Sequence, residues 1–262
     1  LNRIGIFDSG IGGLTVVRSL RHRFPTAPIL YYGDTAHLPY GDKSSETIRS
    51  YVRNIVQFLL EQNVSAIVIA CNTASAVALD LVKAMAGEIP VFDVITPTVH
   101  KGRALTQKKR IGVIGTKTTI VSGAYPRFFA TLDPSIQVIQ KATPLLVPLI
   151  ENNWIHHPFM EMVLDEYLSD LVFESIDTLI LGCTHYPLIT IQIQKSLEKM
   201  GKGAIHLIES SEAVSESVSN HFGHLEGNGD FQIYVSDLNP HFKNLAFKLF
   251  PELNLTFQEK VL

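Results

Sequence analysis

The chain has 262 residues, of which 46% are hydrophobic and 18% charged, with a formal net charge of −3 from 22 basic and 25 acidic side chains. That balance excludes a disordered chain and lacks the basic footprint of a nucleic-acid binder, and no apolar run reaches the ~18–20 residues of a membrane span. Two cysteines are too few for a disulfide framework.

In chain order, short apolar runs at 3–7, 29–32, 66–69, 91–94, 111–114, 136–139, 178–181, 205–207 and 232–235 read as strands. Many are continuous rather than alternating, the pattern of strands buried on both faces of a helix-covered parallel sheet. Helical periods lie between them. Ile48, Val52, Ile55 and Leu59 share one face, with Ser45 as the expected N-cap. The alternation predicts an α/β fold. Ile4-Gly5-Ile6-Phe7 is too short for the apolar core of a leader, so a cytoplasmic protein with reduced thiols is expected. Lys108-Lys109-Arg110 reads as a solvated edge. Beyond 208, a helix-like stretch at 212–221, a Gly227-Asn228-Gly229 turn, a strand and a last helix form a tail that the pattern leaves free to pack on either half.

The chain resembles itself. Arg3-Ile4-Gly5-Ile6-Phe7-Asp8-Ser9 is similar to Arg110-Ile111-Gly112-Val113-Ile114-Gly115-Thr116, and the segment 66–73 is similar to 178–185. The matches come in the same order at nearly the same offset, which predicts two related α/β halves, the second starting near Thr96-Pro97-Thr98. Cys71 and Cys183 occupy equivalent places, each directly after a strand. Ligands of open parallel sheets bind beyond the carboxyl ends of the strands. A lone cysteine is ordinarily inert core; two at matching strand ends, each followed by polar residues and a helix-like segment, point to a shared crevice. A helix N-terminus there would lower a thiol's pKa and hold a carboxylate. A metal site is disfavoured, because there is no C-x-x-C and two thiols plus His185 lack a fourth ligand. His156, His157, His221 and His224 read as surface residues.

Asp8-Ser9-Gly10-Ile11-Gly12-Gly13 is not the dinucleotide pattern G-x-G-x-x-G, and Asp8 would repel a pyrophosphate. Its glycines suit a sharp turn and a close backbone approach. Asp8 is then either a helix cap or a base or ammonium partner in the crevice. Leu38-Pro39-Tyr40-Gly41-Asp42 offers backbone N–H groups to a ligand. Thr116, Thr118 and Thr119 are either helix caps or carboxylate binders. Two opposed thiols suit inversion of a stereocentre, one taking a proton from one face while the other delivers one to the opposite face, with Asp8 and His185 tuning their proton affinities.

These residues carry a resemblance. Ile6-Phe7-Asp8-Ser9-Gly10-Ile11-Gly12-Gly13-Leu14, Tyr32-Gly33-Asp34-Thr35-Ala36 with Pro39-Tyr40-Gly41, Ala70-Cys71-Asn72-Thr73-Ala74-Ser75, Gly115-Thr116-Lys117-Thr118-Thr119, Pro148-Leu149-Ile150-Glu151 and Leu181-Gly182-Cys183-Thr184-His185-Tyr186-Pro187-Leu188 appear in the order of the aspartate/glutamate racemase family, on its glutamate side. The resemblance implies two similar doubly wound domains with mainly parallel sheets, residues 1–96 with 209–262 and residues 97–208, and an active site in the cleft between them. It implies cofactor-independent interconversion of L- and D-glutamate that supplies D-glutamate for peptidoglycan. Cys71 would be the base on the D-glutamate side and Cys183 on the L-glutamate side, assisted by Asp8 and His185 respectively. Asp8, Ser9, Tyr40, Gly41, Asn72, Thr73, Thr116, Thr119, Thr184 and His185 would hold the substrate, with Glu151 near His185. No metal, nucleic acid or membrane partner is implied, and a homodimer is left open. Glu209-Ser210-Ser211-Glu212 departs from the family's usual Asp-Ser-Gly-Glu, which predicts an altered turn there. The chain starts at its first strand, so the N-terminal extension that some relatives use for regulation is expected to be absent. Three alternatives remain in view: an aspartate or hydantoin racemase, a non-catalytic amino-acid sensor, and a pyridoxal-phosphate enzyme, the last disfavoured because no lysine stands out for a Schiff base.

Overall fold

The computed structural model describes residues 3–262. The chain opens with β1 (Ile4–Asp8), α1 (Leu14–Arg23), β2 (Ile29–Gly33), α2 (Ser45–Glu61), β3 (Ala66–Ile69), α3 (Asn72–Ala86) and β4 (Val91–Asp93). It continues through α4 (Ile95–Leu105), β5 (Arg110–Gly115), α5 (Lys117–Val121), α6 (Ala124–Leu132), β6 (Gln137–Ala142), α7 (Leu146–Glu151), α8 (Pro158–Phe173), β7 (Thr178–Gly182), α9 (Thr190–Lys199) and β8 (His206–Glu209). It ends with α10 (Ser210–Phe222), β9 (Phe231–Val235), α11 (Pro240–Leu249) and β10 (Thr256–Glu259). Among the described residues no helix is long and apolar enough to cross a membrane.

The strands form two sheets, six-stranded in the order β10-β9-β2-β1-β3-β4 and four-stranded in the order β6-β5-β7-β8. Every ladder is parallel. The α/β expectation holds, and the continuous apolar runs have their reason. In β3, Ala66 and Val68 enter one core while Ile67 and Ile69 enter another on the opposite face. In β7, Leu179 and Leu181 pack on one side and Ile180 on the other. Side chains alternate across a strand, so a strand covered on both faces needs apolar residues at every position. Val214 and Val218 of α10 and Ile233 and Val235 of β9 join Ile4, Ile6 and Val68 in one core. The tail therefore packs on the first sheet, a choice the apolar pattern alone left open.

Two details differ from expectation, the α2 cap and an added edge strand. The N-cap of α2 is Ser44, whose Oγ accepts from the Thr47 N–H at 3.2 Å, and Ser45 is the first helical residue. Thr96-Pro97-Thr98, near which the second half is expected to begin, lies in the first turn of α4, where proline needs no N–H partner. That turn is capped by Asp93, whose Oδ1 accepts from the Ile95 and Thr96 N–H groups at 2.8 Å each. β10 was not anticipated. It is an edge strand, mostly exposed, so its residues carry little apolar signal. At Glu209-Ser210-Ser211, Glu209 ends β8 and α10 begins at Ser210. The histidines 156, 157, 221 and 224 are exposed, as expected.

Ile6 lies at the middle of β1, fully buried between β2 and β3. Ile6→Ala should cost about 2–5 kcal/mol of stability, the usual range for emptying such a core site. Equilibrium urea unfolding measures it, and a loss below about 1 kcal/mol would show that this core tolerates the cavity.

Candidate active site

Parallel pairing sends all strands of a sheet toward the same edge at their carboxyl ends, and the two sheets present those edges to one cavity. Its walls include Ser9 after β1, Tyr40 and Gly41 in the segment after β2, Cys71, Asn72 and Thr73 after β3, and Thr116 after β5. Cys183, Thr184 and His185 after β7 complete them. The empty space is about 540 Å³, part of it open to solvent. Both thiols, equivalent in sequence, thus line the same cavity. Both are free and buried.

Cys71 is the N-cap of α3, its Sγ accepting from the Ala74 N–H at 3.4 Å. It also lies 3.9 Å from the Ser9 hydroxyl. The helix N-terminus was expected to lower this thiol's pKa. Burial does the opposite and dominates, and the Asp8 charge adds to it, so Cys71 is pushed well above the ordinary thiol range despite the Ala74 N–H. Burial and the Asp8 charge thus favour the neutral thiol.

Asp8 is fully buried and stands behind the cavity wall. Its Oδ2 accepts from the N–H groups of Gly10 and Gly13 at 3.1 and 2.8 Å, and its Oδ1 from the Thr184 hydroxyl at 3.3 Å. It therefore does cap the turn into α1, and it also reaches across to the second sheet. Burial raises its pKa, while His185 and these donors pull it down without overcoming that effect. Thr15 adds a second crossing bond, its hydroxyl donating to the Thr184 carbonyl at 3.1 Å. The two sides are so close here that a methyl on Gly12 would stand 2.4 Å from Thr184 Oγ1 and 2.6 Å from His185 Nδ1. None of Gly10, Gly12 and Gly13 has a positive φ. At Gly12 it is the approach, not the dihedral angle, that requires glycine.

On the other side, Cys183 Sγ lies 3.7 Å from His185 Nδ1, and His185 Nε2 lies 2.5 Å from Glu151 Oε1 at the end of α7. Burial opposes a charge on His185, but Cys183 and Glu151 outweigh it and hold the imidazole well above its ordinary range. Glu151 is likewise opposed by burial and held low by His185. Glu151 does not line the cavity; it touches the site through His185.

Of the threonines, Thr116 is both a helix cap and a cavity residue: it caps α5, its Oγ1 accepting from the Thr119 N–H at 3.3 Å, and it lines the cavity. Its hydroxyl also lies 3.0 Å from Thr73 Oγ1, with Thr119 Oγ1 3.1 Å from Thr73, so the first turns of α3 and α5 meet through three hydroxyls. Asn72 is oriented by Tyr125, whose hydroxyl donates to Oδ1 at 2.7 Å, and by Ser210, which accepts from Nδ2 at 3.2 Å. Tyr40 donates to Asp34 Oδ2 at 2.6 Å. Tyr125, Ser210 and Asp34 were not foreseen as supports, nor Thr143 as a lining residue. Thr143 follows directly on β6, so the strand-end rule would have found it had the strand been read to Ala142 rather than 139. Among the described residues no group of three or more His, Cys, Asp or Glu side chains is arranged to hold a metal ion.

The family model described as Asp/Glu/Hydantoin racemase matches residues 14–218. The chain belongs to that racemase family. Glutamate racemase of Syntrophus aciditrophicus (strain SB) is 43% identical over 252 residues, 94% of this chain and 92% of that protein. Glutamate racemase of Neisseria meningitidis serogroup A is 43% identical over 250 residues, 93% of this chain and 90% of that protein. The crystal structure of glutamate racemase from Francisella tularensis subsp. tularensis SCHU S4 in complex with D-glutamate matches with a TM-score of 0.89 at 37% identity, covering 100% of this chain and 97% of that one. As a member of this racemase family the chain is an isomerase, and the cavity between its sheets is the candidate active site.

The His185–Glu151 pair fixes a pH dependence. A raised histidine contributes stability that is fully present below its unfolded value of about 6.5 and is lost as pH rises through the folded value. A lowered glutamate contributes stability that is lost as pH falls below about 4.5 through its own folded value. The pair should therefore stabilise most between these limits. In the Glu151→Gln variant the His185 imidazole, followed by NMR, should titrate at lower pH than in the parent. An unchanged His185 titration would mean that Glu151 does not hold the charge.

Proposed function

We propose that the chain interconverts L- and D-glutamate without a cofactor, using Cys71 and Cys183 as the two acid–base groups. The observation that carries this reading is that the two thiols, from equivalent strand ends, line one cavity. On this reading Cys71 exchanges the α-proton on the D-glutamate side and Cys183 on the L-glutamate side. When L-glutamate reacts, the Cys183 thiolate takes the α-proton, the electron pair passes into the α-carboxylate, and the Cys71 thiol delivers a proton to the opposite face. The reverse reaction exchanges the roles. The raised proton affinity of Cys71, caused mainly by burial, suits the delivering role. His185, within reach of the Cys183 sulfur, accepts or returns its proton, and Asp8 influences Cys71 through its charge.

Ser9, Tyr40, Gly41, Asn72, Thr73, Thr116, Thr119 and Thr184 would hold the carboxylates and the ammonium. The first-turn N–H groups of α3 and the hydroxyl cluster with α5 favour a carboxylate, because helix N-termini carry unpartnered donors. Such fixed donors are also what an α-carbanion requires, since they stabilise charge as it develops on the carboxylate. The name shared by the relatives supports glutamate as the substrate. We place the enzyme in the cytoplasm, where it would supply D-glutamate for peptidoglycan, and divide it into residues 1–96 with 209–262 and residues 97–208.

Deuterium incorporation at the α-carbon in deuterated water tests the mechanism. The parent should exchange and racemise both enantiomers. Cys71→Ser and Cys183→Ser should each lose racemisation by about 10²-fold or more, the order of a lost acid–base group, with residual exchange confined to one enantiomer and opposite in the two variants. Racemisation at the parental rate by both variants would overturn the two-thiol reading. Binding without exchange by the parent would identify a sensor, and faster turnover of aspartate would reassign the substrate.

A further inference from the structure

The segment after β2 that carries Tyr40 and Gly41 is held from two directions. From its own side, Asp34, itself buried, accepts the Tyr40 hydroxyl bond and meets His37 Nδ1 at 2.9 Å. From the other sheet's side comes Thr118, in the short helix α5. Its hydroxyl lies 2.9 Å from the Gly41 carbonyl oxygen and 2.9 Å from that of Lys43. A hydroxyl has one hydrogen, so Thr118 shares it between the two carbonyls or alternates between them. The contact is close-packed around it: a methyl on Gly41 would stand 2.6 Å from Thr116 Cβ.

We propose that Thr118 is a positioning residue that latches the Tyr40–Gly41 wall of the cavity to α5. The inference follows from geometry and topology together. Tyr40, Gly41 and Asp42 line one side of the cavity, and Thr116 and Lys117, next to Thr118, line the facing side. The Thr118 bonds join these two rims. Breaking the bonds frees the segment to lift; making them returns Gly41 to its place over the cavity. Thr118 does not itself line the cavity, so it acts through the backbone it holds.

The role rests on the racemase reading for its kinetic consequence, but the latch itself is measurable without turnover. Thr118→Val keeps the shape and removes the donor; Thr118→Ser keeps the donor. In Thr118→Val, KM for both glutamate enantiomers should rise on the order of fivefold, the effect of losing one net hydrogen bond of about 1 kcal/mol, with kcat unchanged or higher. Hydrogen exchange of the segment 38–43, where the Lys43 N–H bonds the Tyr40 carbonyl at 3.1 Å, should quicken in the same variant. Thr118→Ser should restore both. Parental exchange in Thr118→Val overturns the latch whether or not glutamate is turned over. Quickened exchange with parental KM, or a loss of kcat at parental KM, overturns its role in substrate binding. Failure of the parent to racemise glutamate counts against the racemase reading alone.

Discussion

Parallel pairing is the constraint from which the site follows. In an antiparallel sheet, successive strands deliver their ends to opposite edges. Here every ladder is parallel, so each sheet sends all its carboxyl ends one way. Residues just beyond the strands therefore meet at the cavity wall: Thr116 follows β5 and caps α5, Cys71 lies two residues beyond β3 and caps α3, and Thr143 follows β6. Helix-terminal donors arrive at the cavity as a by-product of the fold, because each helix must begin where its strand ends.

That constraint also made much of the molecule legible in the sequence. Continuous apolar runs such as 66–69 and 178–181 announced strands covered on both faces, and the two thiols could be placed at their ends before any coordinates. What was not legible depended on contacts between distant segments. The helix that Asp93 caps at Ile95 and Thr96 rests on side-chain bonds to the backbone and is not placed by the apolar pattern. β10 has few apolar side chains to announce it because it lies at an edge. The sign of the Cys71 shift could not be read from its place at a helix start. It depends on how completely the surrounding residues exclude water, and burial outweighs the helix end. Asp34, Tyr125 and Ser210 support the site by hydrogen bonds that no spacing rule anticipates, since their partners lie on other elements.

The two thiols share a cavity but not an environment. Cys71 feels a buried carboxylate, Asp8, whose charge favours the neutral thiol. Cys183 faces an imidazole that Glu151 holds toward its charged form. The two environments are themselves joined, because Asp8 binds Thr184 and Gly12 packs against His185. A shift of one sheet relative to the other would alter both at once. The close glycine contact at this seam sets how far the sheets can slide before side chains collide.

This asymmetry bears on how the proposed reaction begins from either enantiomer. Burial penalises a lone thiolate heavily and a paired one much less. The proposed substrate, glutamate, would bring an ammonium group and two carboxylates into the same small space. If the ammonium lies toward Cys71, it offsets the Asp8 charge and lowers the cost of ionising that thiol, so the base forms only when there is a proton to take. Until then burial and the Asp8 charge favour the neutral thiol, and oxidation requires thiolate character. On the proposed mechanism, substrate binding and activation of the base become one event, because burial makes the ionisation of Cys71 depend on the charge the substrate brings.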